Sequence, residues 1–351
     1  MLTKLLYKRD LPEFKSSEEM LDLIQKEEYG YIPSKPDKVI WKVTDNYIPG
    51  FCAGKANISK VEITSFVMGE KFTFPLYVSI PVKEGKHPFF VCINFSDYLP
   101  DRFIPIEEII DNGFAVLSFC HNDVTKDNPD FTDGLAGVLY KNCTRNSDSP
   151  GKIAIWAWAA HRVMDYAETL NCLDVNCSVV CGHSRLGKTA LLAGATDERF
   201  KFVYSNNSGC SGVAISRDKK GETVEDICRS FPYWFCENYL KYATNEYQMP
   251  FDQHFLAALV APRYLYVASA EEDEWADPCS EFTTCVMLNE VYENYGKKGL
   301  ICGNRFPKSG DEFHEGCVGY HLRSGTHYFS REDWQKAIKF INKHRYNSII
   351  D

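Results

Sequence analysis

The spacing of apolar residues changes along the chain, and each change predicts an element. Ser16 to Tyr29 places Met20, Leu21 and Ile24 at helical intervals behind a Ser16/Glu19 capping box, which predicts a helix packed on the body. Lys38 to Val43 is a short β-prone run; Lys60 to Val67 alternates with period two, and Lys71 to Ile80 continues it. Together these predict an antiparallel edge. Phe89 to Phe95 and Phe114 to Phe119 are almost continuously apolar, as strands covered on both faces are. Ile109 to Gly113 closes a helix between them. Ile153 to Leu170 is small or apolar nearly all round, so its helix is buried against the sheet. Phe200 to Tyr204, Tyr264 to Ala270 and Gly319 to Arg323 read as further strands. Ser330 and Asp333 then cap a helix with Trp334, Ala337, Ile338 and Ile341 on one face. The alternation predicts an α/β fold: a mostly parallel central sheet, helices on both faces and an antiparallel N-terminal edge. No internal repeat or low-complexity linker interrupts it.

One stretch breaks the alternation with chemistry. The valine-rich strand ending at Val179-Val180-Cys181 meets Gly182-His183-Ser184, and a small-residue helix pattern begins at once. That is the layout of a nucleophile elbow, in which a tight turn lifts a serine hydroxyl above the end of a sheet. Gly182 suits the crowded turn, and Gly187 lets the helix approach the strand. The pattern departs from G-x-S-x-G, because Leu186 stands where the second glycine is usual. Ser184 also precedes a helix N-terminus, which favours a developing negative charge. The bland alternative is a serine capping an ordinary helix.

Two downstream loops bear on that choice. The strand Tyr264–Ala270 runs into Glu271-Glu272-Asp273-Glu274-Trp275-Ala276-Asp277-Pro278, an acidic loop where a hydrolase of this fold needs a carboxylate to orient its histidine. The last strand and helix are joined by Ser324-Gly325-Thr326-His327-Tyr328, where the general base belongs. Serine, acid, histidine is the α/β-hydrolase order. Elsewhere, Asn94-Phe95-Ser96-Asp97 occupies the position of an oxyanion-hole loop, and the segment from His121 to about Gly151 is long enough to be functional or partly mobile. Ser230 to Cys236 is dense in aromatics and reads as a hydrophobic plug under a lid in preference to a sugar-stacking platform. His254, inside an apolar helical pattern, reads as a core or supporting histidine.

Composition narrows the partners. The 351 residues are 44% hydrophobic, enough for a large core, and we expect one domain over 1–351: 1–85 as helix and edge strands, 86–345 as the catalytic core. A net charge of −9 argues against nucleic acid or an acidic membrane surface as partner. No run of apolar residues is long enough to span a bilayer. The opening Met1 to Asp10 shows no signal peptide, so a cytoplasmic chain is expected unless this is a mature, secreted form. The fourteen cysteines are irregularly spaced without C-x-x-C, which reads as reduced thiols; zinc is the competing reading, and the ligand pairs it needs are missing.

At these residues the chain resembles bacterial members of the glucuronoyl esterases, α/β-hydrolases that lie close to acetyl xylan esterases. The resemblance runs over roughly 85–345 and is carried by Gly182 to Lys188, Ser205 to Gly212, Gly221-Glu222-Thr223, Phe231 to Phe235, Asp252-Gln253-His254, Ala270 to Pro278 and Arg323 to His327. It implies hydrolysis of an ester between 4-O-methyl-glucuronate and an alcohol, with no metal or organic cofactor. It implies Ser184 as nucleophile, His327 as base and Arg185 as oxyanion-stabilising cation. It implies Lys188 and Glu222 on sugar hydroxyls and Trp275 over the uronate; Phe95, in the loop after its strand, is a further candidate for substrate binding. Asn207 stands where many members keep a glutamate as triad acid. Other members place the acid after the following strand in an Asp-x-Trp pattern, which Asp273-Glu274-Trp275 fits; Asp273 is therefore the expected acid and Glu272 the alternative. An acetyl-sugar esterase with the same triad, and an inactive carbohydrate-binding homologue, are the rival functions.

Overall fold

The computed structural model describes residues 9–45 and 47–347. The residues ahead of Arg9, on which much of the expectation about a leader rests, lie outside that description. One ten-stranded sheet runs in the order β1-β2-β3-β5-β4-β6-β7-β8-β10-β9. Its strands are β1 Lys38–Thr44, β2 Ala56–Val67, β3 Glu70–Pro81, β4 His87–Asn94, β5 Ala115–Cys120, β6 Leu173–His183, β7 Phe202–Asn206, β8 Tyr264–Ala270, β9 Glu312–Phe313 and β10 Val318–Arg323. β5, β4, β6, β7, β8 and β10 are parallel; β1 to β3 form the antiparallel edge and β9 closes the far side antiparallel to β10.

The pleat explains the unbroken apolar runs. In β4, Phe89, Val91 and Ile93 enter one core while Phe90 and Cys92 enter the other. β8 does the same, with Leu265 and Val267 on one face, Tyr266 and Ala268 on the other. The first core is covered by α2 (Lys152–Ala167), α3 (Arg185–Thr196) and α4 (Pro278–Asn294), the second by α5 (Arg331–Asn347) and the helix Ile106–Asp111. Each parallel crossover carries a helix over one face, which leaves the carboxyl ends of the strands open for loops.

Some elements differ from expectation. The N-terminal helix α1 keeps its Ser16/Glu19 capping box but is α-helical only over Ser17–Ile24; Gln25–Tyr29 widens into a π turn. The wider turn directs Glu28 and Tyr29 inward, where Glu28 meets Gln253 and the Tyr29 hydroxyl donates to the Ser211 carbonyl. α4 had no clean apolar stripe to reveal it, because it buries Ser280, Glu281, Thr283 and Thr284 beside Phe282, Cys285 and Leu288. Among the described residues no helix is long and apolar enough to cross a membrane.

Candidate active site

β6 ends at His183, α3 begins at Arg185, and Ser184 between them takes φ +58° and ψ −128°. Holding a non-glycine residue there costs about 1–3 kcal/mol, a strain characteristic of functional turns. Space dictates the flanking glycines. A Cβ on Gly182 would lie 2.1 Å from Leu186 O, and one on Gly187 would lie 3.0 Å from Asn206 O. Leu186 is fully buried in the core, so the close approach falls one residue later than the usual motif has it.

The parallel strands bring the other predicted residues to the same end. His327, just past β10, and Asp273, just past β8, meet with Nδ1 and Oδ2 2.6 Å apart. The His327 ring packs 4.5 Å from the ring of His183, the residue before Ser184. Asp273 is 5% exposed. The same Oδ2 accepts from Asn207 Nδ2 at 2.8 Å, and Oδ1 accepts from the Ala276 N–H at 3.3 Å. Burial pushes the Asp273 pKa up; hydrogen bonding and charge from His327, then Asn207 and Ala276, outweigh it and hold the carboxylate below its usual value. Glu272 is exposed and serves differently. Its carboxylate accepts from the Gly325 N–H at 3.2 Å and its own N–H donates to Gly325 O at 3.0 Å, bracing the turn that carries His327.

Arg185 pairs with the carboxylate of Asp127 and lies 4.9 Å over the Trp234 ring. The Phe95 ring stands 5.7 Å from the guanidinium and 6.3 Å from the His183 ring. Within the loop expected to lie at an oxyanion hole, the Phe95 N–H is given to Asn94 Oδ1 at 2.8 Å. Lys188 is buried; its Nζ donates to Ser208 O at 2.6 Å and lies 3.9 Å from Glu222 Oε2. The Glu222 N–H donates to Trp275 O at 3.0 Å, which ties this pair to an indole that is 57% exposed. The aromatic segment contributes Trp234 and Phe235 as a buried plug. His254 is fully buried with Nε2 2.9 Å from Pro12 O, a core histidine.

Two residues escaped the sequence reading. Asp127 lies in the long loop after β5, where only loop length signalled function. Glu281 is fully buried, accepts from Gly209 N–H at 2.9 Å and from the Ser269 hydroxyl at 2.6 Å, and burial pushes its pKa up to about 7. The Asp277-Pro278 helix-start signal could have found its helix. All fourteen cysteines are free, and among the described residues no His, Cys, Asp or Glu cluster is arranged to hold a metal.

The chain has counterparts among known proteins. A family model described as "Glucuronyl esterase, fungi" matches residues 63–296. Carbohydrate esterase MZ0003, from an unknown prokaryotic organism, is 41% identical over 68% of this chain and 55% of its own length. The 4-O-methyl-glucuronoyl methylesterase of Podospora anserina is 28% identical over 79% of this chain and 55% of its own. The chain thus spans about half the length of these curated relatives. A promiscuous CE15 esterase from a marine bacterial metagenome superimposes with TM-score 0.84 at 32% identity, covering 94% of this chain and 91% of that one. A glucuronoyl esterase from Solibacter usitatus does so with TM-score 0.83 at 31%, covering 93% and 92%. With the family model matching most of the sheet and these folds superimposing almost end to end, the chain belongs to the glucuronyl esterase family.

Proposed function

We propose that the chain is a serine carboxylic-ester hydrolase acting on a carbohydrate ester, with a 4-O-methyl-glucuronate ester as its preferred substrate class. The observation that carries this reading is the 2.6 Å contact between His327 Nδ1 and Asp273 beside the strained Ser184 elbow. Donation from Nδ1–H to Asp273 leaves Nε2 as the basic nitrogen. Nε2 takes the Ser184 proton as the hydroxyl attacks the ester carbonyl, and returns it to the departing alcohol. The backbone N–H of Arg185 and its guanidinium meet the oxyanion. Water then attacks the acyl-enzyme by the same route and releases the uronic acid. Lys188 is balanced by Glu222 and the Ser208 carbonyl, so the pair offers both donors and acceptors to sugar hydroxyls. The exposed Trp275 offers a ring face to the sugar. Fourteen free thiols suit a reducing compartment, where an imported oligosaccharide is the accessible ester.

Hydrolysis of methyl 4-O-methyl-glucuronate and of p-nitrophenyl acetate, by wild type and by Ser184→Ala, tests the reading. Ser184→Ala should abolish both, and a fluorophosphonate should label wild type alone. Activity that survives in Ser184→Ala overturns the triad. A second reading, an acetyl-sugar esterase on the same triad, is favoured by the promiscuity ascribed to the structural neighbour at 32% identity; a kcat/KM higher on acetylated sugars than on the glucuronate ester would establish it.

A further inference from the structure

The oxyanion-side arginine is itself held by a carboxylate that the sequence motif does not include. Asp127 reaches the site from the loop after β5. One oxygen pairs with Arg185 Nη1 and the other accepts from the Trp234 indole N–H at 2.6 Å. The ring so anchored lies 4.9 Å beneath the guanidinium and stacks on Phe231 at 3.9 Å. Asp127 therefore fixes both the arginine and the surface on which it rests. Its own backbone is pinned by the bond from its N–H to Asn122 Oδ1 at 2.9 Å. Arg185 Nε is buried and makes no hydrogen bond within the chain, so Nη1 is where the carboxylate holds it.

We propose that Asp127 is the positioning residue for Arg185, clamping the guanidinium by Nη1 so that it is already in place for the ester oxygen as charge develops there. The inference rests on the reading of Ser184 as nucleophile and Arg185 as oxyanion donor. Asp127 is suited to a permanent clamp. Burial opposes its ionisation, but His121, Arg185 and Trp234 around it bring its pKa to about 2, so it stays anionic wherever the enzyme works. Pairing also offsets the arginine charge before substrate arrives, which disfavours capture of a free carboxylate product relative to the neutral ester.

The test is a double-mutant cycle on methyl 4-O-methyl-glucuronate with Asp127→Asn, Arg185→Ala and the pair, thermal melts run alongside. Arg185→Ala should lower kcat by about 10²–10³, as loss of one oxyanion donor does. Asp127→Asn should lower kcat by about ten- to a hundredfold, part of that same effect, with KM moved by less than about threefold. In the Arg185→Ala background, Asp127→Asn should do nothing further. Trp234→Phe, which removes the indole bond to Asp127 and trims the ring beneath the guanidinium, should give a smaller kcat loss that also vanishes in that background. An unchanged kcat in Asp127→Asn, or an equal drop with and without Arg185, overturns the proposal and makes Asp127 a support of the loop. Should Asp127→Asn fail to fold, Trp234→Phe decides by the same criterion. Undiminished hydrolysis in Ser184→Ala would instead sink the underlying reading, and that outcome is distinct from either.

Discussion

Replacing Asp273 with asparagine isolates what the carboxylate does for His327. In wild type one oxygen, Oδ2, accepts from both His327 Nδ1 and Asn207 Nδ2, while Oδ1 accepts from the Ala276 N–H. An asparagine cannot satisfy all three. With its carbonyl toward His327, its NH₂ confronts the Ala276 N–H. Flipped, its NH₂ meets both His327 Nδ1 and the Asn207 amide, and the ring must carry its proton on Nε2, where it cannot accept one from Ser184. The charge is lost as well. At the 2.6 Å separation, a unit charge pair at an effective dielectric of 20 is worth about 6 kcal/mol. His327 is 43% exposed, and water screening cuts that to about 3 kcal/mol. That alone is a loss of about 10²-fold in kcat; the wrong tautomer brings the expected loss to about 10³–10⁴. Steady-state hydrolysis of the glucuronate ester measures it, with Glu272→Gln as control, expected within about twofold of wild type since Glu272 only braces Gly325. A kcat in Asp273→Asn within tenfold of wild type, or a larger loss in Glu272→Gln, refutes the assignment.

Other expectations follow from single contacts. Trp275→Ala removes a ring that supports no core, so KM should rise about three- to tenfold with kcat within about twofold and the melting temperature unmoved. Gly182→Ala puts a Cβ 2.1 Å from Leu186 O; it should cost about 1–3 kcal/mol in urea unfolding and displace the nucleophile, so activity falls further than stability. Glu28 is fully buried, both its oxygens 3.1 Å from Gln253 Nε2, and burial pushes its pKa up to about 8 from the ordinary 4.5. Between those values the folded chain holds a proton that the unfolded chain has lost, so this group's contribution to stability is full below the lower value and declines as pH rises toward the upper one. Glu28→Gln should therefore melt like wild type near pH 4 and above it near pH 8.5, by an amount equivalent to a few kcal/mol at most; a gap that shrinks with rising pH would reverse the sign of the argument.

Strands buried on both faces were legible because the pleat sends alternate residues into two cores, and nothing polar remains to interrupt runs such as Phe89 to Ile93. The elbow was legible because its turn tolerates only small residues at Gly182 and Gly187. Residues whose placement depends on a partner far along the chain were not. Asp127 was just one acid in a polar loop until Arg185 and Trp234 came to it, and α4 hid because its buried face carries Ser280, Glu281 and Thr284, paired within the fold. The acid shows the boundary most clearly. Five carboxylates crowd residues 271–277, and the choice among them is made by the turn that follows β8, where Asp273 N–H bonds back to Ala270 O while Glu272 is drawn off by Gly325. Asn207, at the end of the neighbouring strand β7, lies 2.8 Å from that same carboxylate. Adjacent parallel strands end side by side, so either β7 or β8 can present an acid to one imidazole. Here the residue after β8 meets the imidazole, and the amide of Asn207 after β7 donates to that same carboxylate.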